Sequence, residues 1–369
     1  MYGMKFRVLI VLMFIGLQSN AFGQSEASEP QNSTPAIFQR VQRDDRNRDG
    51  KVTREEFQGP PRLFDRLDRN GDDELTSKDF LMPTRRDRSA MKTPDDVQIR
   101  RDVVFGQGGG RDLKMHLVLP KQSAEKPQPC YVWIHGGGWM GGSKEGGVQQ
   151  VVPIVRDGFV GATIEYRLSG EAIFPAQIED CKCAIRFLRA HAKEYNIDVD
   201  RIAVGGSSAG GHLAALLGTS AGVTELEGNG GWADQRSDVQ AVVDLYGPTD
   251  LIQFVQTPGY ESHARPSSPE TRLLGGEVLK RLDAAKKADP ISYVGPNDPP
   301  FLILHGTNDR TVPPNQSEAI YKALQAAGVD SQLQLLEGAG HGGPEFAQPE
   351  IRAMQRDFLL RTVGDKATP

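Results

Sequence analysis

The chain is poor in cysteine, has no hydrophobic run long enough to span a bilayer and carries no large excess of either charge. Each shortage closes off a class of protein. Three cysteines among 369 residues cannot all pair within the chain, so no disulfide framework is implied. Cys181 and Cys183 sit two apart on a segment with helical spacing and face different directions; with Cys130 they are expected to be small buried apolar residues. The 43 Lys and Arg stand against 48 Asp and Glu, a net charge of −5, which gives no reason to expect nucleic acid or an anionic membrane surface as partner. A neutral or sugar-like substrate stays open. The apolar run Val8 to Leu17 is too short for a comfortable membrane span. It follows Lys5 and Arg7 and precedes Ala21-Phe22-Gly23, the layout of a cleaved secretory signal. Residues 1–23 are therefore expected to be removed and the protein exported, periplasmic or secreted, with no membrane attachment after cleavage.

Texture then divides the remainder. Residues 24–35 are Ser, Glu, Asn and Pro with almost nothing apolar, the composition of a disordered tether. Residues 36–82 are dense in Asp, Asn and Arg and hold two copies of one pattern, beginning at Asp45 and Asp68, 23 residues apart. A polar linker, 83–97, separates this module from residues 98–363.

That last segment alternates β-branched apolar runs with helical patterns, the signature of a mostly parallel sheet with helices on both faces. Strands are expected at Arg101–Phe105, Leu113–Leu119, Cys130–Ile134, Val160–Glu165, Ile202–Gly205, Ala241–Leu245, Phe301–Leu304 and Gln332–Leu336. Helices are expected at Gln177–Tyr195, Gly210–Thr219, Asn315–Ala327 and Glu350–Val363 from their apolar spacing. The segment Thr257–Ala288 is expected to be a lid-like excursion over the sheet's active edge.

The candidate chemistry lies at strand ends. After the strand at Ile202 comes Gly206-Ser207-Ser208-Ala209-Gly210 and then an apolar helix. A strand, a tight turn and a helix expose the middle serine, and small residues are needed where strand and helix crowd together. The five-residue string alone is weak. Upstream, His135-Gly136-Gly137-Gly138-Trp139 ends a strand, and its amides can face a developing negative charge; Gly137, Gly138 and Ala209 are assigned as the donors. Downstream, Asp309 and His341 each follow a later strand. A serine hydroxyl is a poor nucleophile until a base takes its proton, so Ser208 as nucleophile, His341 as base and Asp309 as its orienter form a consistent set. Asp250, after the Ala241 strand, is the runner-up acid. His212 is expected to be a packed histidine, because a helical side chain four residues on cannot readily turn back to Ser208. His135 and His305 are expected to shape their loops.

These segments, with Glu165-Tyr166-Arg167-Leu168 and Phe174-Pro175-Ala176, resemble the lipase and esterase families with a His-Gly-Gly-Gly loop, particularly bacterial esterases grouped with feruloyl and acetyl esterases. The likeness covers about residues 98–363. It implies the α/β-hydrolase fold and hydrolysis of carboxylic esters through an acyl-enzyme, with no metal or organic cofactor for catalysis. A small acyl ester or acylated carbohydrate is the substrate implied. One departure is Glu165, where the family usually carries Asp. A prolyl-type peptidase on the same scaffold, or a non-catalytic calcium-dependent binding protein, are the rival functions; the His-Gly-Gly-Gly loop argues against the first and the filled triad against the second.

The acidic module matches a calcium loop. Asp45, Asn47, Asp49, the Lys51 carbonyl, Thr53 and Glu56 occupy positions one, three, five, seven, nine and twelve, with Gly50 at the turn. In the second copy Asp68, Asn70, Asp72, the Glu74 carbonyl, Thr76 and Asp79 take those positions. There Asp73 replaces the turn glycine and Asp79 is shorter than the usual glutamate, so the first loop is expected to bind calcium more tightly. The pair resembles a small α-helical module of EF-hands holding structural calcium. The close spacing is also similar to dockerin modules, which bind a partner protein, although Glu56 argues against that.

Overall fold

The computed structural model describes residues 41–47, 49–59, 63, 64, 67, 73–76, 95–122 and 124–364. The expected signal peptide and tether, most of the linker, and Asp68, Asn70, Asp72 and Asp79 of the second loop lie outside them. The chain falls into two units, Met1–Ala90 and Met91–Pro369.

In the larger unit each of the eight expected runs is a strand: β1 (Val97–Gly108), β2 (Arg111–Pro120), β3 (Gln128–Ile134), β4 (Val160–Ile164), β5 (Ile197–Ser207), β6 (Ala241–Leu245), β7 (Phe301–Gly306) and β8 (Ser331–Leu336). They form one sheet in the order β8-β7-β6-β5-β3-β4-β2-β1. The β1–β2 and β2–β4 pairings are antiparallel and the rest are parallel. Parallel strands covered on both faces need continuous apolar runs, and β4, β6 and β7 are buried along their whole length. Edge strand β8 is only half-buried.

Alternation along the strands splits the core in two. Val132 and Ile134 face a cluster with Ile178 and Leu213, whereas Tyr131 and Trp133 face one with Val151 and Phe358. The covering helices are α1 (Val148–Arg156), α2 (Ala176–Ala190), α3 (Ala209–Thr219), α4 (Leu251–Gln256), α5 (Pro269–Leu274), α6 (Leu282–Ala288), α7 (Asn315–Ala326) and α8 (Pro349–Thr362). Helix α1 was not anticipated, because Pro153 stands inside it and proline reads as a breaker; burial of Val151, Val152, Ile154 and Val155 holds the helix nonetheless. The expected helix to Tyr195 instead stops at Ala190, before a separate turn at Ala192–Tyr195.

All three cysteines are free and buried. Burial pushes the Cys130 thiol up to about 12 and that of Cys183 up to about 11, which keeps both unreactive at neutral pH. Among the described residues no helix is long and apolar enough to cross a membrane.

In the smaller unit, Val52–Thr53 pairs antiparallel with Glu74–Leu75, Val52 opposite Leu75. These two sit 23 positions apart, the offset of the repeat, so equivalent positions of the two loops meet. Val52, Leu75 and Phe64 form a small core. Gly50 takes φ +87°, and Asp73, at the matching position, takes φ +62°.

Candidate active site

Strand β5 turns into α3 at Ser208, whose φ of 55° and ψ of −122° are strained for a residue with a side chain. The turn is held from outside: the Ser208 amide donates to the Leu245 carbonyl at 2.8 Å, and the Ser208 carbonyl accepts from the His212 amide at 2.9 Å. Glycine is required on either side. A Cβ at Gly206 would lie 2.3 Å from the Gly210 carbonyl oxygen, and one at Gly210 would lie 2.1 Å from that of Ile134.

The structure brings Ser208, His341 and Asp309 into one chain of hydrogen bonds. Ser208 Oγ lies 2.8 Å from His341 Nε2, and His341 Nδ1 lies 2.6 Å from Asp309 Oδ2. Facing a carboxylate, Nδ1 carries the proton, which leaves Nε2 to accept from the serine hydroxyl. Asp309 is 2% exposed, and its other oxygen accepts the amides of Thr311 at 2.7 Å and Val312 at 3.0 Å. Burial by itself would raise this carboxyl's pKa. Hydrogen bonds from His305 and His341, the charge of His341 and the Val312 amide outweigh it and hold the group well below the usual carboxylate range.

The glycine loop after β3 faces the serine turn. A Cβ at Gly136 would lie 2.6 Å from the Ser207 carbonyl oxygen. Gly137 and Gly138 take φ +119° and +60°, and the Gly137 carbonyl accepts from Met140 and Gly141, each at 3.1 Å. Among the described residues the amides of Gly137, Gly138 and Ala209 donate to no backbone acceptor outside helices and strands. Beneath them Tyr166 stacks on His135, with ring centroids 4.4 Å apart, and donates to its carbonyl at 3.0 Å.

His212 is fully buried. It accepts from Trp139 Nε1 at 3.2 Å and donates to the Ala288 carbonyl at 2.8 Å, and burial pushes its pKa down to about 4 despite that second bond. It is a packed, neutral residue. Asp250 caps α4, accepting the Gln253 amide at 2.8 Å, and takes no part in the chain. The Thr257–Ala288 excursion borders the site at two places: Pro269 lies against Gly138, and the Tyr260 hydroxyl donates to the Asp309 carbonyl.

Two further residues stand near the triad: His305, expected to shape its loop, and Tyr246, which went unassigned in the sequence. His305 Nε2 donates to the Val312 carbonyl at 3.0 Å and approaches Asp309 Oδ2 at 3.3 Å, while its Nδ1 pairs with Ser317 Oγ at 2.7 Å. Its place four residues before Asp309 was the available signal. The ring of Tyr246, just past β6, packs 4.7 Å from that of His341; no sequence pattern marked it.

In the Asp45 loop the Asp49 amide lies 3.2 Å from Asp45 Oδ1 and 2.9 Å from Asn47 Oδ1, so the two side chains turn toward one point. Asp45 Oδ2 accepts the Gly50 amide at 3.0 Å. Glu56 is turned onto Thr53, taking its amide at 3.0 Å and its hydroxyl at 2.9 Å, as in a capping box. Among the described residues no three His, Cys, Asp or Glu side chains are grouped to hold a metal. The donors are hard oxygens of the kind calcium takes, but Glu56 would have to leave Thr53 to join them.

The strand order, the crossing helices and the placement of Ser208, Asp309 and His341 on loops after β5, β7 and β8 define the α/β-hydrolase fold. The chain belongs to the BD-FAE family, whose pattern matches residues 115–324, more than half of its length. That span contains Ser208 and Asp309 and ends before His341. The chain is similar to the esterase LipC of Mycobacterium tuberculosis, 32% identical over 254 residues, 66% of this chain and 59% of that protein. Among solved structures it is similar to a truncated carbohydrate esterase from gut microbiota, with a TM-score of 0.67 and 30% identity over 73% of this chain and 98% of that one. It is also similar to an esterase of Thermogutta terrifontis, with a TM-score of 0.60 and 26% identity over 74% and 97% of the two chains.

Proposed function

We propose that this chain is an exported serine hydrolase of carboxylic esters, acting through an acyl-enzyme on small acyl esters carried by carbohydrate. The observation that carries it is the hydrogen-bonded line from Ser208 Oγ through His341 to Asp309 Oδ2. In this mechanism His341 Nε2 takes the Ser208 proton as Oγ attacks the ester carbonyl, and Asp309 stabilises the imidazolium. The carbonyl oxygen, now negative, meets the amides of Gly137, Gly138 and Ala209. His341 returns the proton to the departing alcohol, and water then repeats the sequence on the acyl group to release the acid.

Similarity to LipC and the Thermogutta enzyme supports ester hydrolysis, and the gut carbohydrate esterase favours an acylated sugar as the alcohol side. The apolar run after Lys5 and Arg7 supports export. For the N-terminal loop, Asp45, Asn47, Asp49, the Lys51 carbonyl and Glu56 would hold a structural calcium ion, with the second loop from Asp68 as the weaker site.

The test is an assay on a short-chain aryl ester and an acetylated sugar, comparing the wild type with Ser208→Ala. The variant should lose about 10⁵- to 10⁶-fold in kcat, as nucleophile removal does in serine hydrolases. Full rate in the variant would remove Ser208 from the mechanism.

A further inference from the structure

Between α1 and α8, on the sheet face turned away from α2 and α3, lies a crevice of about 480 Å³, within the roughly 300–1,000 Å³ of small-molecule sites. Tyr131, Trp133, Tyr246 and Phe346 give it aromatic walls. None of Ser208, Asp309 and His341 lines it. Tyr246 stands between the crevice and the triad, with its ring 4.7 Å from those of both His341 and Phe346.

Two polar features set the chemistry of an occupant. Tyr131 is 2% exposed, yet its hydroxyl has no hydrogen-bond partner among the described residues. The hydroxyl is not among the fully buried unpaired side-chain atoms, so it reaches the crevice, where a ligand atom can take the place of water as its partner. The second feature is charge. Asp157, Arg352 and Arg356 line the opening, and Asp157 pairs with Arg356 at 3.2 Å. Arg352 then remains with no carboxylate partner among the described residues, so the opening carries one uncompensated positive charge. Guanidinium takes a carboxylate through two parallel hydrogen bonds.

We propose that this crevice binds a small planar aromatic carboxylate with a polar substituent at its far end. The ring lies among Trp133, Tyr246 and Phe346, the carboxylate meets Arg352, and the substituent meets the Tyr131 hydroxyl.

Calorimetric titration of the full chain with 4-hydroxybenzoate tests this without any need for turnover, so failure of the ester-hydrolase mechanism would not be mistaken for failure of the site. Saturable binding with a dissociation constant of about 1 mM or tighter is expected for a ligand of this size. Arg352→Gln and Tyr131→Phe should each weaken it about tenfold or more, and 4-hydroxybenzamide, which lacks the charge, should bind correspondingly less well. Without ligand, Tyr131→Phe should melt no lower than the wild type, because it removes an unpaired group. No saturation by about 10 mM, unchanged affinity in either variant, equal binding of the amide, or a lower melting point for unliganded Tyr131→Phe would each overturn the proposal.

Discussion

The Ser208 site and the Asp45 loop are both written as short motifs, but they are held together in opposite ways. At the first, the decisive hydrogen bonds join residues 133 and 32 positions apart, and the backbone of Ser208 is fixed by a carbonyl from another strand. At the second, each bond between the loop's candidate ligands and its amides spans two to five residues. A site assembled by tertiary contacts is complete before its substrate arrives. A site assembled from its own loop has its carboxylates engaged by amides, and a cation would have to compete for them.

The largest effect that could break this contrast is expected from Asp309→Asn. It removes the acceptor for His341 Nδ1 and should cost about 10⁴-fold in kcat, as the equivalent change does in a serine protease; a loss under tenfold would mean that the chain of contacts is not the working unit. Next comes Gly210→Ala, whose added Cβ would lie 2.1 Å from a backbone oxygen. The elbow cannot absorb that, and a loss of about 3 kcal/mol or more in urea unfolding is expected. On the other side of the contrast, Asp45→Ala should remove the tighter component of the calcium heat in a calorimetric titration while changing kcat by less than about twofold. Unchanged calcium binding would refute the loop assignment.

The smallest effect concerns pH. Asp289 is 2% exposed and accepts the Leu251 amide at 2.8 Å. Burial, against the opposing pull of that amide, pushes its pKa up to about 8. A raised carboxyl pKa means that the folded state holds the proton more tightly, so its contribution is whole below the unfolded value of about 3.9 and fades as pH climbs toward 8. Asp289→Asn keeps an acceptor for Leu251 and removes the titration. The fall in melting temperature between pH 5 and pH 8 should therefore be smaller in the variant, and an unchanged fall would show that Asp289 is not its source.

What could be read from the sequence follows the same division between local and distant causes. The inner strands were legible because burial on both faces demands unbroken apolar runs, as in Ala241–Leu245, whereas the edge strands β1 and β8 are only partly buried and showed through β-branched or alternating apolar residues. That Ser208, Asp309 and His341 come together could be anticipated because each stands in the loop after a strand of the sheet. Helix α1 was not legible, since Pro153 masks it and only burial against the sheet reveals it. The short helices α4, α5 and α6 carry too few turns to show a period. The bond of His305 to the Asp309 loop spans only seven residues, whereas the packing of Tyr246 on His341 depends on distant segments meeting, which no local pattern encodes. Similarly, the pairing of Val52 with Leu75 was present only as a repeat offset until the two strands met.

The most direct measurement is intact-protein mass spectrometry after exposure to an organophosphonate ester, followed by peptide mapping. One adduct per chain is expected, on the peptide carrying Ser208, with none in Ser208→Ala and slow labelling in Asp309→Asn. An adduct on another residue, or equal labelling of Ser208→Ala, would contradict the assignment of Ser208 as the nucleophile activated through His341 and Asp309.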